Sequence, residues 1–259
     1  MSDIYDRVMI TIFKSLGFTL YKVDLSKDNY ELELELELEL ELEFYVASKN
    51  GCEYFVYLNL PCSSILSINN DIQIKVFNCL DKGMVEAEKI FGDDIGISSN
   101  FTKNSTMIVF SGYDDSLSNR DLNNIISIEE DPYFFKKQVV PVNSIYEEAL
   151  KSCFEEHSDK YIEYLQSTIS DTVKFNDFMK ARASLDEKSA LEYSFVSKLY
   201  EKLPFLILPV KKSSSNDLQE AINNQLSAEQ ISFAEQLLSL GSDDIDKWIS
   251  ELKGDNLNG

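Results

Sequence analysis

The sequence predicts an α+β protein: an N-terminal α-β-β-β-α-β domain on an antiparallel meander with a long Glu-Leu strand, then a helical C-terminal half. Three observations predict it. Apolar residues recur at three- and four-residue steps over residues 3–15. Three runs of strand character follow between residues 18 and 60, two with a clear two-residue period, separated by turn-forming segments. From Asn143 onward the apolar spacing returns to the helical period.

The elements follow in order. Residues 3–15 read as a helix capped by Ser2 or Asp3, with Ile4, Tyr5, Val8, Met9, Ile12, Phe13 and Leu16 on one stripe and Gly17 as its stop. Residues 18–25, FTLYKVDL, alternate and read as the first strand, and Ser26-Lys27-Asp28-Asn29 as a turn. The second strand contains the run ELELELELELELE over residues 31–43. Period two places every Leu on one face of a pleat and every Glu on the other, whereas a helix would scatter Leu all round. Pattern outweighs propensity, because burying a Leu contributes roughly 1.5–3 kcal/mol and propensity differences are below ~1 kcal/mol per residue. Extended from Tyr30 to Val46, the strand would reach roughly 56 Å and overhang an ordinary sheet, bend, or pair as a ribbon. A slip of two residues preserves its faces and a slip of one inverts them, so its length is expected to tolerate two-residue steps. Its acidic face reads as solvated, with binding of cations or a basic partner as the alternative.

Asn50-Gly51 signals a hairpin into a third strand over residues 53–60. Residues 72–91 read as a helix weakened by Gly83, residues 106–110 as a short apolar strand and residues 117–126 as a short helix. Helices are expected over 144–156, 158–183 and 186–203, and the apolar run FLILPV at 205–210 reads as a possible edge strand. KKSSSN at 211–216 is a linker, and short helices follow at 217–223, 228–240 and 243–252, the last with the single Trp248. The expected domains are 1–140, an α/β domain with an antiparallel sheet; 141–210, helical; and 211–259, linker and C-terminal helices.

Composition narrows the function. A hydrophobic fraction of 44% supports a real core. A formal charge of −21 opposes direct binding to nucleic-acid phosphate and suits a basic protein partner. The start MSDIYDRVMI has no signal-peptide stretch, no window is apolar enough for a membrane span, and the four cysteines form no CxxC pair. A cytoplasmic location with reduced cysteines is expected, with no membrane contact, no metal and no cofactor.

No catalytic residues can be nominated. Walker A, GxGxxG, GxSxG and HExxH patterns are absent. The single His157 lies four residues after Cys153, which suits a helix-end histidine better than a catalytic pair. The element order resembles the core of restriction-type nucleases, but residues 53–60 lack their Asp/Glu-x-Lys trio. Glu86-Ala87-Glu88-Lys89 fits the letters on an expected helix.

The distinctive cluster is residues 129–137: three acids, Pro132, three aromatics and two lysines. Pro132 turns Asp131 away from helix, and Tyr133, Phe134 and Phe135 cannot all face one core. Exposed aromatics beside mixed charge are what interface anchors look like, and a loop stapling the sheet to the helices is the competing reading. Asp131, Pro132, Tyr133, Phe134, Phe135, Lys136 and Lys137, with Trp248 as a second surface, are the candidate partner-binding residues.

The stretch IEEDPYFFKKQVVP at residues 128–141 resembles the middle components of ABC-three component systems, the Lamassu-like bacterial defence operons. The resemblance spans residues 1–150 and is best at this motif. It implies a non-catalytic accessory subunit that bridges an SMC-like ATPase and an effector such as a nuclease, meeting nucleic acid only through the complex. The alternatives are an acidic chaperone- or antitoxin-like binder of a basic partner, and a divergent metal-dependent nuclease.

Overall fold

A computed structural model describes residues 3–25, 42–51, 53–83, 87–93, 101, 103–113, 117–181, 188–208, 227, 230 and 232. Helix α1 (Asp3–Ser15) has the expected bounds and buries Ile4, Tyr5, Val8, Met9, Ile12 and Phe13. It ends where Gly17 takes φ +75°. There Phe18 N–H donates to Phe13 O and Gly17 N–H to Lys14 O, the paired bonds of a Schellman stop.

Strands β1 (Thr19–Asp24), β2 (Glu43–Lys49) and β3 (Glu53–Pro61) form the expected antiparallel meander. Asn50 and Gly51 both have positive φ, 57° and 63°, which suits the tight right-twisted hairpin between β2 and β3. Of the Glu-Leu run, residues 42 and 43 are described. Leu42 is buried beside Phe44 and Val46, and Glu43 is exposed and paired with Lys22 at 3.0 Å. The rest of the run, with its expected overhang and length tolerance, lies outside the described residues.

The chain then departs from expectation. The helix expected over 72–91 is a π-helical turn, Ile68–Ile72, leading into α2 (Gln73–Asp81). Gly83, at φ +82°, marks where it stops. Residues 88–91 form strand β4 (Glu88–Phe91), antiparallel to β1 at the sheet edge. Strand β5 (Ser105–Tyr113) and helix α3 (Asn119–Glu129) follow, then β6 (Lys136–Asn143), a strand the sequence reading did not contain. Its Pro141 suits an edge position. The sheet order is β4-β1-β2-β3-β5-β6, with β3-β5 and β5-β6 parallel, so the meander continues into a parallel half.

Helices α4 (Ser144–His157), α5 (Tyr161–Ile169), α6 (Thr172–Lys180) and α7 (Lys188–Lys202) complete the described elements. The single helix expected over 158–183 is broken, because Asp171 caps a new start by accepting from Val173 and Lys174 N–H. No strand forms in 205–208. Phe205 instead packs among Phe13, Phe18 and Phe55, and Ile207 and Leu208 are exposed.

The sheet is covered on both faces. One cluster joins α1, α4, α5 and α7 to Phe55, Tyr57, Ile108, Phe110, Val140 and Val142. The other joins α2 and α3 to Phe44, Val56, Leu58, Met107, Val109 and Val139. The chain clusters into two compact units, residues 1–209 and 210–259. In the second, Ser227 and Gln230 exchange reciprocal cap bonds, Gln230 N–H to the Ser227 hydroxyl and Ser227 N–H to Gln230 Oε1.

Candidate functional site

The cluster at residues 129–137 is where α3 hands over to β6. Ser118 opens α3 with a capping box to Asp121, and Ile125 and Ile128 anchor its inner face. Its last residue, Glu129, reaches the open edge of the sheet. Oε1 accepts Val139 N–H at 2.8 Å, and both carboxylate oxygens accept from Lys202 Nζ of α7 at 2.8 and 2.9 Å. An edge amide with no neighbouring strand thus gains a partner, and α7 is tied to β6.

Two residues on, the chain wraps a lysine. Lys137 is 0% exposed, on the second position of β6. Its Nζ donates to Asp131 Oδ2 at 2.8 Å, to Asp131 O at 3.1 Å and to Tyr133 O at 2.9 Å, with Phe135 O at 3.4 Å. Gln73 Nε2 of α2 adds a bond to Asp131 Oδ2 at 3.1 Å. Burial pushes the Asp131 carboxyl up, but hydrogen bonds from Lys137 and Gln73 and the lysine charge outweigh it. The net effect holds the group below its ordinary value. A buried ammonium is tolerated when paired and fully hydrogen-bonded, and here backbone carbonyls supply most of the shell.

Wrapping the lysine sorts the three aromatics. Phe135 is 2% exposed and packs in the α2/α3 core. Phe134 takes φ +60°, a left-handed conformation costly for a bulky residue, and Phe135 N–H donates to Tyr133 O at 2.7 Å across it. The ring of Phe134 is 39% exposed and lies 4.9 Å from that of Phe77. Tyr133 stands 68% exposed. Pro132 and Lys136 are exposed as well.

The structure therefore divides the candidate residues. Asp131, Phe135 and Lys137 build the loop from inside, so Phe135 and Lys137 are interior and not surface. Tyr133, Phe134, Pro132 and Lys136 face outward. Trp248 lies outside the described residues. Sequence reading missed Gln73 and Lys202, which lie far along the chain and carry no local signal. The helix leading into the loop exposes Leu122 and Ile126, one turn apart on α3.

The Cys153–His157 spacing does not make a pair. Cys153 is buried and its Sγ donates to Glu192 Oε1 at 2.8 Å, which ties α4 to α7. Burial, then that bond, pushes the thiol up to about 11, the reverse of an activated nucleophile. His157 stacks on Tyr164 with ring centroids 4.6 Å apart. Glu88 and Lys89 lie on β4, the edge strand, rather than on a helix. Among the described residues, no group of three or more His, Cys, Asp or Glu is placed to hold a metal ion. No described helix is long and apolar enough to cross a membrane.

No curated protein and no solved structure matches the chain. A family match covers residues 63–163, less than half of the 259 residues, and takes in α2, β4, β5, α3, the lysine-centred loop, β6 and α4. That family is the ABC-three component (ABC-3C) system Middle Component 1, and over this region the chain is similar to it.

Proposed function

We propose that the protein is a non-catalytic accessory subunit of a bacterial defence complex of the Lamassu-like kind, bridging an SMC-like ATPase and an effector. The observation that carries the surface assignment is the exposed Tyr133 ring, presented by a loop whose backbone is pinned to a buried ammonium. A rigid aromatic anchor loses little conformational freedom on binding, which is how a small patch becomes an affinity centre. Pro132, Phe134 and Lys136 flank it in the loop and are exposed, and Leu122 and Ile126 are exposed on α3, the helix that leads into the loop. Nucleic acid is reached through the complex, in keeping with a charge of −21.

The test is co-expression of the chain with the SMC-like ATPase and effector proposed as its partners, followed by gel filtration. A stable ternary peak that depends on this chain supports the bridging role. Separate ATPase and effector peaks contradict it, as does Mg²⁺-dependent DNA cleavage by the purified chain alone. The charge also favours a basic contact on the partner, so part of the affinity is expected to fall as salt rises.

A further inference from the structure

The parallel half of the sheet contains a topological switch. The chain leaves the C-terminal end of β5 toward α3, whose Ile125 and Ile128 pack on one face. From the adjacent end of β6 it leaves toward α4, whose Tyr146, Leu150 and Phe154 pack on the other. Where neighbouring parallel strands send their connections to opposite faces, a crevice opens beyond the strand ends, and ligands of open α/β sheets bind in such crevices. Here a cavity of about 330 Å³ lies at that place, lined by Gly112 of β5 and Val142 of β6. Tyr5 enters from the α1 side and Tyr113 from the α2/α3 side.

The lining is polar and incompletely satisfied. Tyr113 is 8% exposed, and its hydroxyl has no hydrogen-bond partner among the described residues. Ser111 and Cys62 lie beside it, and burial is the main cause that pushes the phenol up to about 12. The side-chain oxygen of Asn143 is likewise buried without a partner. Asn143 precedes α4 in extended backbone and makes no side-chain cap, so the amides of the first turn at Ser144 keep their bonding capacity. Glu147 adds a carboxylate from that same turn.

We propose that this cavity binds an uncharged nucleobase or nucleoside. A base edge carries donors and acceptors side by side, as the lining demands: acceptors at Asn143 and Glu147, donors at Tyr113 and the α4 amides. Its flat faces suit a cleft entered by two tyrosines. The volume is at the small end of ligand pockets, appropriate to a molecule of this size. No basic side chain is among the described lining residues, and Glu147 is, so a phosphorylated ligand is disfavoured. A free amino acid would likewise bring a carboxylate into a lining that already holds one.

The test is saturation-transfer NMR of the purified full chain with adenosine, guanosine, cytidine, uridine and their free bases, and with ribose and ATP as comparators. Transfer to at least one base or nucleoside, and little to ribose or ATP, is expected. Tyr113→Phe should weaken that binding about two- to tenfold while leaving Tm unchanged or higher, since the hydroxyl removed is unpartnered. Glu147→Gln supplies a second variant in the lining, also expected to weaken it. Absence of transfer at millimolar ligand, preference for ribose or ATP, or unaltered affinity in both variants overturns the proposal.

Discussion

Lys137→Met is the sharpest perturbation of the loop at residues 129–137. Methionine nearly conserves the volume of the side chain and removes its charge. Four acceptors lose the lysine as a donor, Asp131 Oδ2 and the carbonyls of Asp131, Tyr133 and Phe135, and of these Tyr133 O keeps the Phe135 N–H. Asp131 keeps Gln73, but its carboxylate loses its countercharge while only slightly exposed. Removing one member of a buried ion pair costs about 3–5 kcal/mol, and a partial rebound follows because methionine carries no desolvation penalty. Against a total stability of roughly 5–15 kcal/mol, this is a large loss. For a domain of this size it corresponds to a Tm lower by roughly 6–20 °C. Urea unfolding followed by circular dichroism measures it. The double variant Lys137→Met, Asp131→Asn should recover about 1–3 kcal/mol of the loss, since the uncompensated charge is then gone. A single-variant loss under about 1 kcal/mol, or a double variant no better than the single, refutes the reasoning.

Two further outcomes are expected. Gly92 has φ +95°, and a Cβ there would sit 2.7 Å from the Thr19 Cα, so Gly92→Ala should cost more than about 1 kcal/mol in urea unfolding and loosen β4. Gly83→Ala, which meets open space, should cost less than Gly92→Ala. The carboxyls of Asp131 and Glu192 lie below their ordinary values in the folded protein, Glu192 because its bonds to Cys153 and Lys174 and the lysine charge outweigh burial. A depressed folded value gives stability that is present above the unfolded pKa of about 4 and is lost as pH falls through the folded one. Tm should therefore fall below about pH 4, and Asp131→Asn with Glu192→Gln should flatten that limb; an unchanged slope counts against both assignments.

Most local structure with a clear period was legible. The α1 stripe, the Schellman stop at Gly17 and the Asn50-Gly51 hairpin each follow from residues adjacent in sequence. What was missed depended on distant partners. Strand β6 carries Lys137 and Pro141, which argue against a strand until Asp131 satisfies the ammonium and the edge position excuses the proline. Strand β4 is only four residues long, and its Glu88, Lys89 and Ile90 continued a helical spacing past Gly83. The apolar run at 205–208 looked like a strand, but only Leu206 and part of Phe205 find the core. In the loop itself, composition marked the place and Pro132 marked the turn. Which aromatic stays outside was set by Lys137, a residue sequence rules put at the surface.

Tyr133 and its neighbours are the proposed partner surface, held in place by the loop. The direct test is isothermal calorimetry of the chain, with Tyr133→Ala plus Lys136→Ala, against the SMC-like ATPase and the effector proposed as its partners. Both substitutions are at exposed positions and leave the lysine-centred hydrogen bonds in place. The account predicts an unchanged Tm and at least tenfold weaker binding of one of these partners, about 1.4 kcal/mol or more. Wild-type affinity for both partners in the folded double variant would contradict it.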